Sequence, residues 1–111
     1  MRWPLVRVLV AGPSMVPTLR SGDAVVVRRG ARVRVGDVVL GRFPDGPEPL
    51  VVKRAVRPHE GGWWVEGDNR YGSDDSRRYG AAIVEGRVVW RYRPLWRHRP
   101  RSRRRPPAPS G

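Results

Sequence analysis

Apolar and polar positions along this chain alternate at the period of β-strands. Residues 5–10, LVRVLV, are rich in β-branched side chains, and residues 24–28, AVVVR, follow an SGD turn. Residues 32–43, RVRVGDVVLGRF, alternate and then run apolar, with Gly36-Asp37 as the break. Residues 50–56, LVVKRAV, follow the loop PDGPEP, and the runs WWVE at 63–66 and IVEGRVVWRY at 83–92 complete the set. Short runs of this kind, punctuated by Gly, Pro and Asp, predict a small all-β domain with a rolled or barrel-like antiparallel sheet. No window carries a helical period of useful length, and there is no internal repeat.

Length and charge divide the chain in two. Its 111 residues are enough for one domain with one modest core. The net charge is +13, and residues 94–111, PLWRHRPRSRRRPPAPSG, hold six arginines and no acid. That leaves 17 basic and 10 acidic residues in 1–93, a core charge of +7. We therefore expect a folded domain over 1–93 and a disordered Arg/Pro-rich tail over 94–111. The tail's charge fits simple solvation. It also suits weak contact with an anionic membrane surface, or nucleic acid.

Cysteine is absent, which excludes disulfides and thiolate metal sites. With two histidines besides, the chain is expected to need no cofactor. The apolar N-terminal stretch MRWPLVRVLVAG is split by Arg7 and is shorter than the about 20 residues of a bilayer span. The expectation is a cytoplasmic protein, peripheral to a membrane at most, with no transmembrane anchor and no ordinary secretory signal.

Candidate chemistry begins with Lys53, the only lysine beside 22 arginines. Lysine can lose its proton near neutral pH when desolvated, and arginine cannot. On a strand Lys53 shares its face with Val51 and Ala55, so burial would lower its pKa and make it a general base. The alternative is a strand lysine that snorkels to water. A base needs a nucleophile, and Ser14 in AGPSMVPTL has the most unusual serine environment. Pro13 and Pro17 hold it in a rigid turn, with its own N–H available to an oxyanion. Read blandly, this is a Ser-Pro turn. The third stretch, GDNRYGSDDSRRYG at 67–80, does not fit a calcium loop. Its hydroxyls and carboxylates suit the orientation of neighbouring catalytic groups.

These three stretches, in this order, resemble the signal peptidase I family of Ser/Lys proteases. GPSMVPTL resembles the box carrying the nucleophile, GDAVVV at 22–27 the strand after it, VKRAV the box carrying the base, and GDNRYGSDDSR the last box. The resemblance covers roughly residues 8–92. It implies the all-β fold that signal peptidases share with self-cleaving repressors. It makes Ser14 the nucleophile and backbone oxyanion donor, and Lys53 the general base. Ser73 matches a serine that orients the lysine amine, Asp75 and Arg77 a buried bracing pair, and Asp68 and Asn69 residues that shape the loop. Gly12 stands where some members carry a second, hydroxyl oxyanion donor. The substrate implied is a protein with an extended N-terminal propeptide. Shortness, the missing anchor and the Arg-rich composition are most like the maturation proteases of nickel-type superoxide dismutase. Nickel is then expected in the substrate, not here.

Four other readings compete. A general signal peptidase would cleave secretory leaders and meet the membrane through its tail or a partner. A self-cleaving repressor uses the same chemistry, but its only candidate bond here, Ala11-Gly12, lies two residues from Ser14. A non-enzymatic nucleic-acid module explains the charge and Trp63, Trp64, Trp90 and Trp96, yet not the lone lysine or the acidic loop; no specific nucleic acid is expected. A Ser-His-Asp triad would need His59, in the loop RPHEGG, or His98, in the tail.

Overall fold

The computed structural model describes residues 4–72 and 74–94. Ser73 and the tail from residue 95 onward therefore lie outside the described residues.

Six strands and one turn of helix make up the fold: β1 (Leu5–Leu9), β2 (Ala24–Arg29), β3 (Val38–Arg42), β4 (Val51–His59), β5 (Gly62–Glu66), α1 (Ser76–Tyr79) and β6 (Ile83–Tyr92). They form one sheet in the order β1-β2-β6-β3-β4-β5, with every neighbouring pair antiparallel. The register slips between Val26 and Val27, between Leu40 and Gly41, and between Ala55 and Arg57. Bulges of this kind increase local twist and bend a sheet. The bend carries β5 round to the start of β6, where Trp63 and Ala82 exchange N–H···O bonds of 3.0 and 2.8 Å. Strands β6, β3, β4 and β5 thus close on themselves, and β1 and β2 extend the sheet outward. The all-β, rolled architecture expected from the strand periodicity is the one observed.

Close packing at the curve requires glycine. A Cβ on Gly86 in β6 would stand 2.5 Å from the Arg28 carbonyl oxygen and 2.7 Å from Val27 Cγ1.

Two apolar clusters hold the sheet. One gathers Val10, Met15, Leu19, Val25, Val27 and Leu40. The other gathers Val39, Phe43, Ala55, Val65 and Ala82, with Val51 and Tyr79 packed against it. Val39 and Leu40 are consecutive on β3, and successive strand side chains point to opposite faces, so β3 feeds both clusters. Each fully buried aliphatic side chain contributes roughly 1.5–3 kcal/mol.

The structure corrects the expected elements in one place. The alternation at 32–37 is not strand. Asp37 Oδ2 accepts from the Arg34 N–H at 2.8 Å, Asp37 N–H returns to the Arg34 carbonyl at 3.1 Å, and Gly36 takes φ +96°. A side-chain carboxylate closing a turn outcompetes the ladder there. The turn of helix α1, with 4 residues, is too short to carry a period.

Candidate active site

Ser14 sits in the turn between β1 and β2. Val16 N–H donates to the Pro13 carbonyl at 3.0 Å and Leu19 N–H to the Met15 carbonyl at 2.9 Å. Met15 and Leu19 are 1% and 2% exposed, anchored in the first cluster. The turn is thus pinned from below while Ser14, half-buried, faces a cleft. Among the described residues no acceptor takes the Ser14 N–H. Gly12, at φ +83°, donates its N–H to Ser21 Oγ at 3.3 Å.

Lys53 lies on β4 opposite Val39. Its same-face neighbours Val51 and Ala55, and Val39 itself, all belong to the second cluster. This surround leaves Lys53 only 5% exposed. Burial pushes its pKa below the ordinary 10.5, against the opposing fields of Asp75, Asp74 and Glu48. Lys53 is thus buried beside apolar side chains rather than extended to water.

The polar loop braces both strands from one side. Asn69 N–H donates to the Ser14 carbonyl at 2.9 Å, and Asn69 Nδ2 donates to the Pro13 carbonyl at 3.0 Å. Asp68 receives Arg54 Nε at 3.1 Å and Nη2 at 2.6 Å, and also accepts from the Thr18 hydroxyl. Those donors hold the Asp68 carboxyl below its ordinary range, the Arg54 bonds contributing most. Asp75 caps α1 by accepting from Arg77 N–H at 3.1 Å. It also takes Arg77 Nε at 2.9 Å, Arg77 Nη2 at 2.7 Å and Gly67 N–H at 2.9 Å. The expected buried pair is buried on one side only: Asp75 is fully enclosed, whereas the Arg77 side chain is 51% exposed. Ser76, also buried, accepts from Val65 N–H at 2.8 Å and ties α1 to β5.

Ser14 and Lys53 line the same cleft, of about 430 Å³. It is lined by residues 8–13 at the end of β1, by residues 46–48 and 50–53 at the start of β4, and by Phe43 and Tyr79, whose rings are 5.3 Å apart. A hydroxyl nucleophile and a desolvated amine in one trough, next to an uncommitted N–H, can add the hydroxyl to a carbonyl and stabilise the resulting oxyanion. Of the sequence-derived site residues, Ser14, Lys53, Asp68, Asn69, Asp75 and Arg77 fall into this one region; Ser73 lies outside the described residues. Among the described residues the one histidine, His59, offers no triad with Ser14. His59 stands at the far end of β4, edge-on to Trp64 with ring centroids 5.2 Å apart, and His98 lies outside the described residues. Among the described residues no three of His, Cys, Asp and Glu gather as a metal site would require.

Two residues of the brace escaped the sequence reading. Thr18 and Arg54 were visible only as neighbours of Ser14 and Lys53, and nothing in their spacing announces that both turn toward Asp68.

The family profile described as Peptidase S24-like matches residues 4–89. The chain is 33% identical over 115 residues to the mitochondrial ATP-independent inner membrane protease subunit 1a of Arabidopsis thaliana, covering 77% of this chain and 68% of that one. It is 30% identical over 114 residues to the human mitochondrial inner membrane protease subunit 1, covering 78% and 69%. With the subunit 2 of Schizosaccharomyces pombe it shares 40% identity over 75 residues, covering 49% and 42%.

Proposed function

The chain belongs to the Peptidase S24-like family, and on that premise we propose that it is a serine endopeptidase with Ser14 as nucleophile and Lys53 as general base. The observation that carries this reading is the single lysine, enclosed by Val39, Val51 and Ala55 and lining one cleft with Ser14.

In the proposed reaction, neutral Lys53 Nζ takes the proton of Ser14 Oγ as that oxygen bonds to the scissile carbonyl carbon. The carbonyl oxygen becomes an oxyanion facing the Ser14 N–H. The C–N bond then breaks, and protonated Lys53 returns its proton to the leaving amine. Water next adds to the acyl-serine ester, giving its proton to Lys53. Collapse of this second intermediate releases the carboxyl product and restores the serine hydroxyl. Asp68, Asn69, Asp75 and Arg77 hold the Ser14 turn and the adjoining loop in register, and Ser73 is assigned by resemblance to orienting the Lys53 amine. With Gly12 in place of a hydroxyl-bearing residue, the backbone donor carries the oxyanion.

The substrate is proposed to be a protein with an extended N-terminal propeptide, and narrowly the precursor of a nickel-type superoxide dismutase. The general leader-peptide reading draws support from relatives named inner membrane proteases. No helix of the described residues is long and apolar enough to cross a membrane; peripheral association is proposed on the strength of those relatives. Intact-mass analysis decides the matter. A dismutase precursor and a secretory precursor are each incubated with the protein and with Ser14→Ala and Lys53→Arg. Cleavage by the wild type alone supports the dyad, and the precursor that is cut identifies the substrate. Cleavage that survives either substitution overturns the dyad.

A further inference from the structure

In a chain with 22 arginines, the cleft that holds Ser14 and Lys53 is lined by none of them among the described residues. Its two acidic wall residues are Glu48 and Asp74. Asp74 already faces Arg78 at 3.7 Å. Glu48 is different. Of the ten acidic residues, all but Asp45 and Glu48 hold a cation, an N–H or an indole among the described residues. Both exceptions stand in the same loop, PDGPEP, between β3 and β4. Pro47 and Pro49 flank Glu48 and restrict the backbone there, and its exposed side chain lines the cleft.

We infer that Glu48 is a specificity-determining residue that selects a basic side chain, arginine or lysine, in the extended peptide segment lying in the cleft. This rests on the cleft being a peptide-binding site, as the proposed protease reading requires. Three features support it. An Arg-rich surface would ordinarily satisfy a carboxylate from within, yet among the described residues no arginine pairs with this one. The protein's net positive charge repels cationic peptides at long range, so only a local acid can make one preferred. And Glu48 is among the charges that favour protonated Lys53; a substrate cation beside it cancels that field and favours the neutral amine. A bound substrate of the right charge would thereby help prepare the base that cuts it.

The test separates binding from catalysis. Dye-labelled extended peptides carry one arginine, moved position by position, against isosteric neutral citrulline. Affinity is measured on Ser14→Ala and on Ser14→Ala with Glu48→Gln. In at least one register arginine should bind about three- to tenfold tighter than citrulline, as expected for one partly solvated ion pair. The ratio should fall to one in Glu48→Gln and shrink with added salt. Glu48→Arg should reverse it, favouring a glutamate peptide. Parity in every register, or a preference that survives Glu48→Gln, overturns the inference. The same ratios are read as kcat/KM with Ser14 intact. Preference in binding without cleavage would overturn the protease reading and leave the subsite; cleavage without preference would do the reverse.

Discussion

Arg54 grips Asp68 through two nitrogens, Nε at 3.1 Å and Nη2 at 2.6 Å, and it does so from the position directly after Lys53. Because neighbouring strand residues face opposite ways, Lys53 points into the second cluster while Arg54 reaches round to the loop. Asp68 in turn accepts from Thr18, four residues past Ser14. One carboxylate therefore links the strand of Lys53 to the turn of Ser14.

Replacing Asp68 by Asn should cost about 1–2 kcal/mol, discounted because the Arg54 side chain is 33% exposed. The Asp68 carboxyl sits below its ordinary 3.8 in the folded protein. Its stabilisation is thus full above that value and is lost as pH falls through the depressed one. Urea unfolding should show the gap between wild type and Asp68→Asn at pH 7 and its closure in strong acid. Peptide cleavage should fall further than the stability loss explains, since the Ser14 turn loses its tie.

Lys53→Met should abolish cleavage while keeping the fold. The unfolded chain binds a proton at Lys53 up to about the ordinary 10.5, whereas the folded chain releases it at lower pH. Between those values stability rises with pH, and below them the full cost of a buried ammonium is present. The variant's advantage in denaturant midpoint should therefore be largest at low pH and narrow as pH approaches 10.5.

The same shift sets the pH–rate profile. Activity should rise with pH on a limb centred below 10.5, as Lys53 becomes neutral. Asp75, Asp74 and Glu48 push that limb upward and Arg77 pushes it downward. Glu48→Gln, measured with a neutral peptide, should move the limb to lower pH.

Gly86→Ala tests the packing of the curve. The added methyl meets the Arg28 carbonyl oxygen at 2.5 Å, and backbone yields poorly. A loss of about 1–3 kcal/mol is expected in equilibrium unfolding, with the Ser14–Lys53 region intact in whatever fraction folds.

Sequence made parts of this site visible because its chemistry is local. Lys53 stood out by being alone, and its face was readable because Val51 and Ala55 share the strand's period. Ser14 was readable from its prolines. The brace was not, since Thr18, Arg54 and Asp68 meet only through tertiary contact. Likewise 32–37 alternates like a strand, and only the Asp37 side chain, returning to Arg34, shows that it turns. Arg77 failed differently: its pairing with Asp75 is as the resemblance implies, but its exposure depends on where a four-residue helix ends.

The order of strands has a consequence for timing. β6 is the last strand among the described residues, yet it lies between β2 and β3. Synthesis makes β1 and β2 first, and then β3 to β5, as two pieces with no shared ladder. Ser14 belongs to the first piece and Lys53 to the second. The loop before β6 ties the two through Asp68, which holds both Thr18 and Arg54, but the pieces share no ladder until β6 pairs with β2 on one side and β3 on the other. A chain lacking β6 would hold Ser14 and Lys53 on two pieces joined by side-chain ties alone, and on the proposed reading it would lack the rigid cleft that cleavage needs.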